Sequence, residues 1–261
     1  MIDIHCHLEY MENPEHVLEE ARKKMDAVIC SVPDPKDVDK ILALHEKNRD
    51  FLFVSLGFHP ERMNKYSVKQ IDDYVEKIKK NKEKIVAVGE AGIDYGCSTE
   101  EKNVERQKEI FERFVKLAVE IKLPLVVHIR NNQDQKIKLS AYHDAFSILK
   151  KYTLKVILHC FSGSETDLKV ALEREYWISY ATNVCRTKKH PRLAEKTPLS
   201  RILLETDSPW LDPEAEFGSK ELTNRPWKIE KSAEVIAQLH KTSKQEVLRI
   251  TTENAKKVFG I

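Results

Sequence analysis

Near the start of the chain, Asp3-Ile4-His5-Cys6-His7 places two imidazoles two residues apart. In a strand, alternate side chains share a face, so His5 and His7 point the same way. Two imidazoles on one rigid face make half of a metal-binding claw. Taken alone, the pair is equally an accident of composition. Asp3 falls on the same face one layer deeper, where it is expected to bond a ligand histidine from behind. Further residues of ligand type end apolar runs downstream: Glu90 after Val86-Ala87-Val88-Gly89, with which it is expected to share the Val86/Val88 face, then His128, His159 and Asp207. A lone buried histidine is more often a bonded core residue, and a lone carboxylate at a strand end often caps a helix. Six such residues, all at strand ends in one register, are hard to obtain that way.

The elements that must position them alternate along the chain. Strand-like runs are expected at 2–8, 27–32, 52–58, 85–93, 124–130, 155–161, 176–182 and 201–207. Amphipathic helical stretches are expected at 14–24, 35–48, 68–80, 101–122, 139–152, 164–174, 187–197, 228–240 and 243–257. Ser67 reads as a start signal for 68–80, and Ser243-Lys-Gln-Glu246 as a capping box. Strands alternating with helices argue for parallel pairing through right-handed crossovers. Eight such units fit a single (β/α)8 TIM barrel spanning 1–261, with its active site at the C-terminal strand ends. A doubly wound sheet is the alternative, but no Gly-rich turn follows the first strand. The one long irregular piece is 208–227, containing Pro209, Pro213, Gly218 and Pro226; a loop that long in a compact domain is usually functional or flexible.

Composition sets limits. The net charge of +2 gives no global field drawing the chain onto nucleic acid or membrane, so polyanion contacts must be local. The five cysteines are scattered and contain no Cys-x-x-Cys, which points to a reducing, cytoplasmic setting. Cys6 and Cys160 alternate away from the ligands and read as core residues. No apolar run is long enough to span a bilayer.

The sequence resembles the TatD family of metal-dependent deoxyribonucleases, a branch of the amidohydrolase-like barrels. The resemblance rests on Asp3-Ile-His-Cys-His-Leu8, Gly57-Phe-His-Pro60, Gly89-Glu-Ala-Gly-Ile-Asp-Tyr95 and Arg106-Gln107. It continues through Pro124-Leu-Val-Val-His-Ile-Arg130, His159-Cys-Phe-Ser-Gly163, Leu204-Glu-Thr-Asp-Ser-Pro209, Asn224-Arg-Pro226 and Asn254, in family order over essentially the whole chain. Two departures stand out: Glu9 where the family usually has Asp, and Asn131-Asn132-Gln133 where an acidic residue usually follows the fifth-strand Arg.

The resemblance implies a site for two divalent ions. By that analogy His5, His7, Glu90 and Asp207 hold one, and Glu90 bridges to a second held by His128 and His159. A carboxylate suits bridging because it has two oxygens. Such ions polarise a phosphoryl oxygen and acidify a water, with Asp207 as general base. Four histidines favour Zn or Mn on ligand chemistry, whereas the family is generally Mg-dependent. His59 is expected to reach into the mouth, where Gly57 leaves room, to bind phosphate or protonate a leaving group; otherwise it is a turn histidine held by Pro60. Arg130 either grips a phosphate with two prongs or pairs with Glu205. Tyr95 and Trp210 either stack on bases or pack the rim, and Arg225 is placed on the nucleic-acid backbone. The expected activity is cleavage of DNA phosphodiesters, as a 3′ exonuclease on single-stranded ends, by a monomer with no obligate protein partner. The same metal site acting on another ester or amide, such as D-aminoacyl-tRNA, is the alternative. A non-catalytic nucleic-acid-binding protein is disfavoured by the absence of a basic stripe.

Overall fold

Among the described residues, eight apolar runs pair side by side in chain order to form one parallel sheet. In the computed structural model, which describes residues 1–134, 138–215 and 223–261, the strands are β1 (Ile2–Cys6), β2 (Ala27–Val32), β3 (Leu52–Phe58), β4 (Ala87–Asp94), β5 (Leu125–Arg130), β6 (Val156–Leu158), β7 (Trp177–Tyr180) and β8 (Ile202–Leu204). The seam between β8 and β1 closes just beyond the strand ends. Asp207 N donates to His5 O at 2.9 Å, and His7 N to Ser208 O at 2.7 Å. The sheet is therefore a nearly closed barrel, and the residues that close it flank the expected ligands.

Helices α1 (Pro14–Arg22), α2 (Val38–Glu46), α3 (Val68–Lys80), α4 (Glu101–Ile121), α5 (Ala141–Leu149), α6 (Glu165–Glu173) and α7 (Lys189–Lys196) connect successive strands, and α8 (Ile229–Leu239) and α9 (Lys244–Phe259) follow β8. Their starts follow local chemistry. Ser67 and Gln70 form a reciprocal capping box at α3, as Ser164 and Asp167 do at α6. At α9 only half of the expected box forms: Ser243 accepts from Glu246 N, while the Glu246 carboxylate turns outward to Arg249.

Alternation along the strands sorts their apolar residues into two layers. Phe53, Ala87, Val126, Ile157, Trp177 and Leu203 gather in one cluster, which the end of α9 joins through Val258 and Phe259. Val54, Val88, Val127, Leu158, Ile178 and Leu204 pack into the other, with the helices. That is the expected economy of a barrel whose strands are apolar on both faces.

Three strands end earlier than the sequence-based expectation, two of them before a residue of left-handed backbone. Strands β6, β7 and β8 stop two or three residues before their expected ends. Cys160 and Asp207 take up the left-handed conformation, with φ of +43° and +56°, and the ladder cannot continue through it. In β4 the pairing slips between Val88 and Ala91 against both neighbours. Val88 consequently packs outward while Glu90 faces the mouth, so the two do not share a face as the simple alternation requires. Of the irregular 208–227 stretch, Gly218 lies outside the described residues.

Glycines permit the slip. A Cβ on Gly57 would stand 2.3 Å from the carbonyl oxygen of Glu90, and one on Gly92 1.8 Å from that of His128. Gly57 thus makes room for the Glu90 backbone, and not, as expected, for the His59 side chain. Gly92→Ala must push β5 away at His128, and we expect a loss of about 3 kcal/mol or more of stability. Val119→Ala on the exposed side of α4 should change stability by less than about 0.5 kcal/mol. Urea denaturation of both variants checks the contrast.

Candidate active site

The slipped strand delivers Glu90 to the centre of the mouth, almost fully buried. Its two oxygens serve different neighbours. Oε2 lies 3.4 Å from His5 Nε2 and 3.8 Å from His7 Nε2. Oε1 lies 2.8 Å from His128 Nδ1 and 3.6 Å from His159 Nε2. Asp207 completes the first group, with Oδ1 3.3 Å from His7 Nε2 and 4.0 Å from His5 Nε2. All six expected ligands are therefore brought together. The His5 and His7 Nε2 atoms face one another at 3.2 Å, and the His5 ring stacks on His159 with centroids 3.7 Å apart. Nitrogen lone pairs and carboxylate oxygens turned toward shared points fit divalent cations, and the donor atoms within His5/His7/Glu90 and within Glu90/His128/His159 lie close enough to hold one each.

Behind the cluster stand carboxylates that fix the rings. Glu205, fully buried, lies 2.8 Å from His159 Nδ1 and also accepts from Cys160 N and Ser179 Oγ. Asp94 takes His128 Nε2 at 3.0 Å, and Glu9 takes His7 Nδ1 at 3.2 Å. Such partners orient ligand imidazoles. Sequence reasoning missed Asp94 and Glu9 in this role and assigned it to Asp3. Asp3 instead accepts from the backbone of His5 and from Thr206, tying β1 to the end of β8 rather than touching a ring. Asp94 was findable: two residues beyond Gly92, it alternates onto the Glu90 face.

The same alternation overturns Tyr95. Ala91, Ile93 and Tyr95 face the helices, and the Tyr95 hydroxyl donates to Asp144 at 2.5 Å, so its ring is buried away from any base. Arg130 does not pair with Glu205. Its Nε donates to Asp94 Oδ1 at 2.8 Å, and an Nη stands 3.5 Å from Glu61. The Arg225 guanidinium donates to the Asn224 carbonyl at 2.8 Å. Trp210 does line it, edge-on to His7 at 5.1 Å. Cys6 is buried and donates to Ile29 O, whereas Cys160 is half-buried beside Asn183. His59 stands both at the turn and at the mouth. Its Nδ1 accepts from Glu61 N and starts the turn Pro60–Lys65, while Nε2 reaches to 3.5 Å from Glu90.

Burial and close charges set the protonation states. Burial opposes charge on His128, but bonds to Asp94 and Glu90 outweigh it and push the ring up to about 10. Burial likewise opposes charge on His7, and Asp207 and Glu9 outweigh it. Burial pulls His59 down to about 3, with His128 adding to it. Burial favours a neutral Glu90, yet His159, His59, His128 and His5 hold it well below the usual carboxylate range. Asp207 is held low against its own burial by His7, His159 and His5.

Parallel barrel and mouth cluster together define a class: a hydrolase of the metal-dependent barrel type. The family model described as TatD related DNase matches residues 2–260, and the chain belongs to that family. It is 32% identical to deoxyribonuclease TATDN3 of Homo sapiens over 99% of this chain and 94% of the relative. It is 30% identical to the uncharacterized metal-dependent hydrolase YabD of Bacillus subtilis (strain 168), over 100% and 99%. Among solved structures, the TatD homolog YJJV of Escherichia coli k12 superposes with a TM-score of 0.86 at 25% identity, covering 100% of this chain and 98% of that one.

Two predictions follow from the protonation states and the buried partners. His7 and His128 hold protons in the metal-free site, because their folded-state affinity for protons is raised. A cation must displace them, so affinity should climb as pH rises toward about 10. Calorimetric titration with Mn²⁺ in two buffers of different ionisation enthalpy should show net proton release; identical heats would contradict it. Glu205→Gln should weaken Mn²⁺ binding by about 10–100-fold in a chelator-competition assay, with the fold kept.

Proposed function

We propose that the chain hydrolyses DNA phosphodiester bonds, removing nucleotides from the 3′ ends of single strands with two divalent ions. One observation carries the reading: a single buried carboxylate splits its oxygens between two pairs of imidazoles at the floor of an open cleft of about 400 Å³. His5, His7, Glu90 and Asp207 would hold one ion and Glu90, His128 and His159 the other, and Mg, Mn or Zn bound there would polarise a phosphoryl oxygen and acidify a water.

The chain's own groups supply the rest. Asp207, ionised and one-fifth exposed beside His7, is the group placed to take a proton from the attacking water. His59 accepts at Nδ1 from a backbone N–H, which leaves its proton on Nε2, directed at the cleft. With its charged form strongly disfavoured, it acts as a hydrogen-bond donor to a phosphate oxygen rather than as the leaving group's acid. Trp210 offers a sequence-indifferent surface for a base. A frayed single strand can enter such a recess, whereas the middle of a stiff duplex would have to be distorted. Unpaired cysteines suit a reducing compartment such as the cytoplasm, and among the described residues no helix is long and apolar enough to cross a membrane.

The test is a time course on 5′-labelled single-stranded DNA, blunt duplex and closed circles, each with Mg, Mn or Zn. A ladder shortening from the 3′ end with resistant circles is expected. Nicked circles would make the activity endonucleolytic, and cleavage of D-aminoacyl-tRNA alone would replace the phosphodiester reading. Asp207→Asn should lower turnover by about two to four decades with binding largely kept. Glu90→Ala should lose most bound metal by elemental analysis, and His59→Ala should keep it.

A further inference from the structure

The cleft has two arginines at its edge, and their surroundings differ. Arg130 is committed: its Nε bonds the fully buried Asp94, and an Nη faces Glu61. Two carboxylates therefore face one guanidinium, and His128 bonds the same Asp94. Arg62 lies within the turn that His59 starts, about one-fifth exposed. Its Nη2 donates to the neutral Tyr10 hydroxyl at 2.9 Å. Its Nε is buried 3.5 Å from Asp34 Oδ2 and makes no hydrogen bond. Asp34 itself is 2% exposed and shared with the Tyr66 hydroxyl, and Lys36 approaches it to 4.0 Å. On this flank the carboxylate nearest Arg62 is shared with Lys36 and the Tyr66 hydroxyl, whereas two carboxylates close on Arg130. Arg62 gives one N–H to a hydroxyl and makes no hydrogen bond through Nε, so it keeps donor capacity at the cleft edge.

Position sharpens the point. Tyr10 and Trp210 form an aromatic corner with ring centroids 5.1 Å apart, and the Tyr10 ring is 6.0 Å from that of His7. Arg62 bonds the hydroxyl of Tyr10, so its guanidinium stands about one aromatic ring from the ligand cluster. Phosphates held at the cluster and at Arg62 would then be separate groups, with the aromatic corner between them open to a nucleoside.

We propose that Arg62, aimed by Asp34 and Tyr10, binds a second phosphate of the substrate, next to the scissile one. The proposal rests on the phosphodiesterase reading above and refines it: the substrate is an oligonucleotide carrying a neighbouring phosphate, not a lone phosphodiester. Arg62 is a specificity residue and takes no part in proton transfer.

The experiment compares wild type, Arg62→Gln, Arg62→Lys and Asp34→Asn on three substrates: bis(4-nitrophenyl) phosphate, the dinucleoside monophosphate d(TpT), and an octathymidylate. Loss of a charge-assisted phosphate contact should raise KM for the octamer about 10–100-fold in Arg62→Gln. Its kcat should stay within about threefold, and both one-phosphate substrates should be unaffected. Arg62→Lys should recover part of the KM, since a point charge without the planar fork still attracts phosphate. Asp34→Asn should show a smaller KM rise confined to the octamer. Equal losses on all three substrates, or an unchanged octamer KM in Arg62→Gln with a native melting temperature, would overturn the proposal. Wild-type protein inert toward all three would fell the phosphodiesterase reading itself, and this inference with it.

Discussion

The mouth of this barrel is organised around one buried anion. Removing a carboxylate from water costs several kcal/mol unless charge and hydrogen bonds offset it. Glu90 recovers that cost only because five imidazoles, from β1, from β5 and from the ends of β1, β3 and β6, sit within 4 Å of its oxygens. The imidazoles are crowded in turn, and a second ring of carboxylates holds them: Glu9, Asp94 and Glu205. The result is alternating shells of opposite charge, each unstable without the next. Divalent cations placed between the shells would relieve the proton load that His7 and His128 otherwise carry, which is why the site suits metal.

That arrangement demands unusual backbone. Glu90 reaches the centre because β4 slips by one position between Val88 and Ala91, and the slip is tolerated because Gly57 and Gly92 let neighbouring chains come within contact that any Cβ would forbid. Asp207 reaches its place by leaving the ladder at positive φ, and its backbone N–H then closes the barrel against His5. Closure of the sheet and assembly of the site are therefore one event: the hydrogen bonds that join β8 to β1 are made by the residues that carry ligands.

The charge balance at the rim matters as much as the floor. A chain with net charge +2 cannot attract a polyanion by its overall field. Attraction has to come from particular cations at the rim, and Arg62, whose Nε makes no hydrogen bond, differs from Arg130, whose Nε bonds Asp94, despite lining the same cleft.

The sequence by itself determined a good deal. Eight apolar runs alternating with amphipathic stretches specify a parallel barrel, because each run is too apolar for a sheet with one wet face. Ligand-type residues at the run ends specify which end carries the site, and the order of motifs marks the family. What the sequence could not settle lay in departures from strict period two. Glu90 and Val88 sit two apart yet face opposite ways, since the slip is fixed by glycine contacts between strands far apart in sequence. Asp94 and Tyr95 lie side by side, and only the corrected register shows that one holds His128 while the other is buried under α5. Arg62 gives no signal in a line of residues. Its significance comes from Asp34 and Tyr10, more than twenty residues upstream, and only the side-by-side pairing of β1, β2 and β3 brings those three side chains to one edge of the cleft.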